Sequence, residues 1–288
     1  MRWASIALVF LVAVAVSSVS GRPAATDGRF RVATFNIHRG ADRQERYDIE
    51  RTIRAIASFD ADLVGLQEVI RNHVDFGCDD QPALIAAGLR RLTGRPWTYV
   101  YARAWNTDQR DCLQSGRGDG VETEGPAFFA PERIIASKSV RLSERRVGLA
   151  ARVASLPGTS IVVTHLSPSR DNQAGRLGEI AALLPWARSH GVGVIVGDLN
   201  AAPDARELTS LSSRYVDSWN EAAEQGLTRG VESGGTFGRA RRRIDYVFFD
   251  RDVDLTLESV AVIDTSTAGL GEVSDHRPVV ATFRRRSR

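Results

Sequence analysis

The sequence predicts one α/β domain in which two packed sheets carry helices on their outer faces. Three observations lead there. Strand-like apolar segments outnumber helical ones, and helices interrupt them at intervals, a pattern best buried as sheet on sheet with helices outside. No repeat, proline-rich linker or break in composition divides the chain. The 288 residues are 43% hydrophobic and 25% charged, the balance of a globular domain rather than a disordered chain, a collagen or a coiled coil. No internal stretch reaches the ~18 uninterrupted apolar residues of a membrane-spanning helix, which excludes a polytopic membrane protein.

The elements follow in order. Residues 31–36 read as a strand. Ile49, Ile53 and Ile56 fall at i, i+4 and i+7, so Asp48 to Phe59 reads as an amphipathic helix. Asp62 to Glu68 reads as a strand with Leu63, Val64 and Leu66 apolar. Pro82 to Leu92 looks helical, with proline in its first turn. Trp97 to Ala102 looks extended, and Trp105 to Glu124, rich in Gly, Asp and Arg, reads as a long loop. Ala127 to Phe129, Val147 to Ala154 and Ile161 to Thr164 read as strands. Leu177, Ile180, Ala181 and Leu184 mark a helix. Val192 to Val196 is a continuous apolar run, as expected of a buried central strand. Val231 to Arg243 is a Gly- and Arg-rich loop. Ile244 to Phe249, Val253 to Ile263 and Val279 to Phe283 look extended.

Residues 1–20 read as an export signal. Arg2 gives a positive start, Ile6 to Val16 carries no charge, and Ser18 and Ser20 stand at the −3 and −1 positions of a cleavage site. The run is short for a bilayer crossing, so no transmembrane anchor is expected after cleavage. Residues 21–29 read as a flexible leader, 30–284 as the domain and 285–288 as a basic tail. The expected location is secreted, extracellular or periplasmic. In such an oxidising compartment Cys78 and Cys112 form a disulfide candidate. C-x-x-C spacing is absent, so a zinc site is not supported.

The formal charge of +3 is too small to imply nucleic acid by itself. Of 38 basic residues only Lys138 is lysine. Phosphate recognition favours arginine, and codon usage in a GC-rich genome gives the same bias.

Several strands end in a polar residue capable of chemistry. Asn36 closes the first, Glu68 the second, and His165 follows Ile161-Val-Val-Thr. Asp198 and Asn200 follow Val194-Ile-Val-Gly, two apart and therefore on one side of an extended segment. Asp245 lies within Arg243-Ile-Asp-Tyr-Val, and Asp275 and His276 precede Pro278-Val-Val. A sheet can gather such ends at one edge. Glu68 and Asp275 are hard oxygen ligands, and Asn36 can add a neutral one, which suits Mg²⁺. His276 and His165 can move protons. Asp245 can orient a histidine, Asp198 can orient or deprotonate water, and Asn200 can donate to a developing oxyanion. The set suits hydrolysis of a phosphate ester. No G-x-S-x-G elbow or Walker loop is present.

Each residue alone has a plainer reading. Asn36 is then a turn residue, Glu68 a surface residue, and His165 a structural histidine. Asp198 and Asn200 would cap a loop or helix, and Asp275-His276 would make a turn. Asp245 inside an apolar strand needs a partner under any reading. His38, His73 and His190 match no motif and read as surface or packing residues. The Arg239–Arg243 and Arg284–Arg288 runs read as solvated, with contact to an anionic substrate as the alternative for either.

Six segments in order resemble the endonuclease/exonuclease/phosphatase superfamily of deoxyribonuclease-like hydrolases. They are Thr34-Phe-Asn-Ile-His-Arg-Gly, Val64-Gly-Leu-Gln-Glu-Val, Thr164-His-Leu, Gly197-Asp-Leu-Asn, Arg243-Ile-Asp-Tyr-Val and Ser274-Asp-His-Arg-Pro-Val. Arg170 and Gln173 fit as well, and the resemblance spans residues 30 to 284. It implies a four-layered α/β sandwich with two packed, mainly antiparallel sheets flanked by helices. It also implies Mg²⁺- or Mn²⁺-dependent phosphoester hydrolysis, foremost of phosphodiesters. By that similarity Glu68 is the principal metal ligand, assisted by Asn36 and Asp275. Asp245 pairs with His276, Asp198 and Asn200 serve the attacking water and the transition state, and His165 assists at the phosphate. Many members carry Gly-Asn-Ala in mid-chain, where this sequence has Gly125-Pro-Ala-Phe-Phe. The expected substrate is a phosphodiester: DNA, a phospholipid head group or a small molecule; the less favoured alternative is a non-catalytic binding protein that retains the fold, against which stands the presence of Glu68, Asp198, Asn200, Asp245, Asp275 and His276. For DNA, Arg39 and Arg71 would meet backbone phosphates. No exposed apolar hairpin for lipid is evident, and no obligate protein partner is expected.

Overall fold

A computed structural model describes residues 28–168, 172–239 and 241–286. The expected signal peptide, most of the leader, Arg170 and the last two residues of the tail lie outside them. In chain order the strands are β1 (Arg29–Asn36), β2 (Leu63–Arg71), β3 (Thr98–Tyr101), β4 (Trp105–Asn106), β5 (Thr123–Ala130), β6 (Ile134–Ser143) and β7 (Arg146–Val153). They continue with β8 (Ser160–His165), β9 (Val192–Asp198), β10 (Tyr215–Asp217), β11 (Thr228–Gly230), β12 (Asp245–Asp250), β13 (Leu255–Val262) and β14 (Val279–Arg285). The α-helices are α1 (Ile49–Ser58), α2 (Gln81–Thr93), α3 (Asp111–Gln114), α4 (Gln173–Ser189), α5 (Thr209–Ser212) and α6 (Ser218–Glu224).

One sheet has eight strands, in the order β11-β13-β14-β1-β2-β5-β3 with β4 also paired to β5. The other has six, in the order β10-β12-β9-β8-β7-β6. Both are mixed: β1–β2, β8–β9 and β11–β13 are parallel and the other pairings antiparallel. Their inner faces share one core that includes Val32, Leu63, Phe128, Val163, Val196 and Val247. On the outer face of the large sheet α1 and α2 bury Ile53, Ile56, Ile85 and Leu89 against Phe35, Val64 and Phe129. On the outer face of the small sheet α4 buries Ile180 and Leu183 against Val162 and Ile195. Four layers result, as the resemblance implied. Among the described residues no helix is long and apolar enough to cross a membrane.

The sheets approach closely at Gly65 of β2. A Cβ there would stand 2.6 Å from Val196 and 2.8 Å from Val163 of the opposite sheet. Glycine is what lets the layers meet three residues below Glu68.

Some elements escape the sequence pattern. β6 is largely exposed along its length, so it lacks the apolar alternation that marks a half-buried strand. β10 and α6 are short and were not foreseen. The expected loop from Trp105 to Glu124 contains β4, α3 and the start of β5. Cys78 and Cys112 are joined by a disulfide, with Cα atoms 5.5 Å apart. It ties the segment after β2 to α3.

Candidate active site

Strand register assembles the floor of the site. His165 pairs with Asp198 across β8 and β9, and Asp198 pairs with Asp245 across β9 and β12. Residues in register share a face, so the three side chains form one row. The loop before β14 adds His276. Its backbone N–H donates to Ser274 Oγ at 3.1 Å, and that hydroxyl donates to the Asn36 carbonyl at 2.8 Å. The large sheet's β1 and β14 are thereby fastened over the small sheet's row.

His276 Nδ1 lies 2.9 Å from Asp245 Oδ2, while its Nε2 is 3.7 Å from Asp198 Oδ2 and 3.8 Å from Asp275 Oδ1. Asp198, Asp245 and His276 are all buried. Burial alone would lower the imidazole pKa, but the charges of Asp245 and Asp198 raise it to about 10. Burial and the nearby Asp245 charge push the Asp198 carboxyl up to about 7. His165 moves the other way, well below its ordinary value, because it is buried and faces the positive charges of Arg146 and His276. The row therefore holds a charged imidazole between carboxylates, with a neutral histidine beside it.

Asn200 has φ 51°, a left-handed conformation that asparagine tolerates better than most residues. Its backbone N–H donates to Asp198 Oδ1 at 2.8 Å. Its side-chain amide donates to the Leu166 carbonyl at 3.0 Å and meets His165 Nε2 at 3.0 Å. His165 Nε2 thus faces the Asn200 amide at 3.0 Å and the Asp198 carboxylate at 3.5 Å.

Glu68 is placed by a β-bulge. Leu66 pairs with Ala127 and Val69 with Gly125, so Gln67 and Glu68 together oppose Pro126. Proline has no N–H to offer the ladder. The ladder breaks at that point, Glu68 adopts φ 55°, and its carboxylate turns to the groove. Pro126 lies directly opposite the bulge that carries Glu68.

Asn36 donates to Glu68 Oε1 at 3.0 Å and to Asp198 Oδ2 at 3.2 Å, while its own oxygen accepts the His38 backbone N–H at 3.0 Å. In this orientation it braces two carboxylates. Glu68 and Asp275 have side chains 18% and 21% exposed, against 2% for Asp198 and 0% for Asp245. Among the described residues one tight group of potential ligands is Asp198, Asp245 and His276. That group is enclosed, and His276 spends Nδ1 on Asp245. A hydrated hard cation that must also reach substrate is better matched to Glu68 and Asp275.

Three further residues border the site. Glu124 of β5 is half-buried beside Glu68; desolvation and that neighbour's charge push its carboxyl up to about 7, and Arg39 and Arg146 act against the shift. His38, expected at the surface, lies with Nδ1 3.9 Å from Asp275 Oδ1 and Nε2 3.5 Å from Glu45. Arg39 Nε stands 3.6 Å from Glu68 Oε2. Arg71 does not join them: Asp80 at 3.0 Å and Asp119 at 2.9 Å hold its guanidinium. Arg243, expected to be solvated, is buried on Asp217 at 2.7 Å. His73 and His190 lie elsewhere, against Phe76 and Trp186.

Comparison with known structures returns the same architecture. An endonuclease/exonuclease/phosphatase from Beutenbergia cavernae superposes with a TM-score of 0.67 at 21% identity, covering 90% of this chain and 72% of that one. The human Nocturnin catalytic domain with bound sulfate gives 0.65 at 20% identity, covering 90% and 94%. The mannosyl-6-phosphatase Bt3783 of Bacteroides thetaiotaomicron gives 0.60 at 14% identity, covering 88% and 99%. No curated protein matches in sequence. Residues 33–276 match the profile of the Endonuclease/Exonuclease/phosphatase family, and the chain, with its two-sheet sandwich and its row of carboxylates and histidines, belongs to that family of hydrolases.

Proposed function

We propose that this protein is a divalent-metal-dependent phosphoester hydrolase that uses Mg²⁺ or Mn²⁺ and acts on phosphodiesters. The observation that carries the reading is the convergence of Asp245, His276 and Asp198 on one row beneath the more open carboxylates of Glu68 and Asp275. Glu68 and Asp275 would hold the cation, which when bound supplies Lewis-acid stabilisation of charge on the phosphate. Asn36 keeps Glu68 turned toward the groove. Asp198, braced by Asn36 and by the Asn200 backbone, is placed to accept a proton from an attacking water. Asp245 fixes the His276 ring through Nδ1, which leaves Nε2 to donate to the phosphate. Asn200 and His165 present nitrogen atoms to the oxygens that gain charge in the transition state.

The test is nicking of supercoiled plasmid and cleavage of bis(p-nitrophenyl) phosphate with Mg²⁺ or Mn²⁺, against EDTA and His276→Ala controls. Turnover that vanishes in both controls is expected. Metal-independent turnover, or full activity of the variant, would refute the mechanism. Cleavage of the small ester without nicking would exclude DNA and direct the search to phospholipid head groups or small phosphodiesters.

We also propose export followed by cleavage near Ser20. The charged start, apolar run and small residues of 1–20 support it, as does the disulfide. The mass of protein recovered outside the cytoplasm tests it: a chain still carrying residues 1–20 would overturn the reading.

A further inference from the structure

The outer face of the small sheet holds a polar hollow of its own, remote from the catalytic groove. Helix α4 packs on this face and ends at Ser189. The first half of β6, exposed from Ile135 to Ser139, lies beside that helix end. Ala136 pairs with Arg152 and Lys138 with Ala150 across β6 and β7, so the four side chains share one face. Ala150 belongs to the core beneath α4, which makes it the outer face. Two alanines leave room where larger residues would fill it, and two cations stand as diagonal neighbours above them. The resulting hollow measures about 380 Å³, and Ser160, Ser189 and His190 complete its polar wall.

Among the described residues no carboxylate lines this hollow. Lys138, the one lysine of the chain, has neither hydrogen bond nor ion pair among them. Arg152 Nε and Nη2 both donate to Ser160 Oγ, at 3.3 and 3.2 Å, and that hydroxyl donates to the His190 carbonyl at 3.0 Å. The guanidinium is thus held by a neutral group. The His190 ring stacks on Trp186 at 4.6 Å, with Nδ1 2.8 Å from the Trp186 carbonyl. Nδ1 therefore carries the proton, and Nε2 is left over. The carbonyls of Ala187 and Arg188 accept the His190 backbone N–H, so neither cation is spent on the end of the helix. Neighbouring like charges without a counter-ion repel, and both keep donors that the protein does not use.

We propose that this hollow is a second binding site, for a sugar-sized molecule that carries a phosphate or carboxylate group. Lys138 and Arg152 would take the anionic group, and His190 and Ser189 would meet its hydroxyls. The volume lies within the roughly 300–1,000 Å³ of ligand pockets, and a bare inorganic anion would leave most of it empty. Ser160 opens β8 and His165 closes it, so at a rise of roughly 3.3 Å per residue the hollow lies about 17 Å from the catalytic row. The site stands whether or not the groove hydrolyses phosphoesters.

Calorimetry on the full protein in EDTA, with glucose 6-phosphate, glucuronate and glucose as probes, tests it. At least one of the two anions should bind, and glucose should bind at least tenfold more weakly. The tighter anion tells phosphate from carboxylate. Lys138→Gln and Arg152→Gln should each weaken that anion about tenfold, while His276→Ala leaves it within twofold. No binding of either anion by the wild type would overturn the site, as would glucose binding as tightly as the anions. Binding lost in His276→Ala but kept in Lys138→Gln would overturn it too, by placing the anion in the catalytic groove. Lys138 is exposed, so its variant decides the matter if Arg152→Gln loses its thermal transition.

Discussion

The floor of the groove and its rim handle charge in opposite ways. On the floor, Asp198, Asp245 and His276 are buried and bonded largely to one another, and the register of β8, β9 and β12 sets their spacing. On the rim, Glu68, Asp275 and Glu124 remain partly open, and Arg39 Nε stands 3.6 Å from Glu68. A buried charge is tolerable only with a partner in place, so the floor must be complete before substrate arrives. The rim has solvent at hand and can leave charge for a cation and an anion to satisfy. The enclosed row is therefore held by strands, and the more open charges sit on a bulge, a hairpin tip and a left-handed turn.

The largest effect expected from breaking this division is on the floor. His276→Ala should lower kcat by about 10²–10⁴-fold with KM little changed; a rise in KM alone would move His276 to the rim. The same residue gives a pH signature. Its pKa rises from 6.5 to about 10 on folding, so the stabilisation it contributes is complete below 6.5 and is lost as pH climbs through about 10. The Tm difference between wild type and His276→Gln should shrink across that window, and a flat difference would contradict the pairing with Asp245.

Next comes the metal side of the rim. Glu68→Gln should weaken Mn²⁺ binding at least tenfold by calorimetry, on the scale of a lost metal-site contact, while leaving the thermal transition nearly intact. Unchanged binding would place the cation elsewhere. Smaller again is the disulfide. Replacing Cys78 and Cys112 together with serine opens a closure over 34 positions and should cost about 3–4 kcal/mol of stability with a modest change in kcat. An identical Tm would show that the bridge constrains little. The smallest effect belongs to Arg71→Gln. Asp80 and Asp119 already occupy that side chain, and part-exposed ion pairs contribute about 0–1 kcal/mol. KM should stay within about twofold by steady-state kinetics, and a larger rise would return Arg71 to the substrate.

The floor was legible in the sequence because its residues sit at strand ends. An apolar run that stops at a polar residue announces an edge, and Asn36, His165 and Asp198 follow that grammar, each the last residue of its strand. Asp245 was singled out because a charge inside an apolar strand demands a partner, and His276 is that partner. The rim was much less legible. Glu124 stood in an apparent loop, and its closeness to Glu68 depends on a bulge opposite Pro126. Arg146 arrives from a hairpin whose first strand, β6, is too exposed to show a pattern. His38 lies within the first family segment but read as a surface or packing residue, since its approach to Asp275 depends on a left-handed turn. Contacts across layers leave no period in a single chain, and an arginine-rich composition hides the few arginines that matter.

The glycine contact between the sheets has a mechanical consequence. With Gly65 seated against Val163 and Val196, the β2 backbone at this one point rests directly on valine side chains of the opposite sheet, so a sliding motion of one layer over the other would drive backbone into valine. The floor then behaves as an anvil, and adaptation to different esters falls to the tips around it. A single methyl group added at position 65 would stand 2.6 Å from Val196 and 2.8 Å from Val163 and would wedge the plates apart.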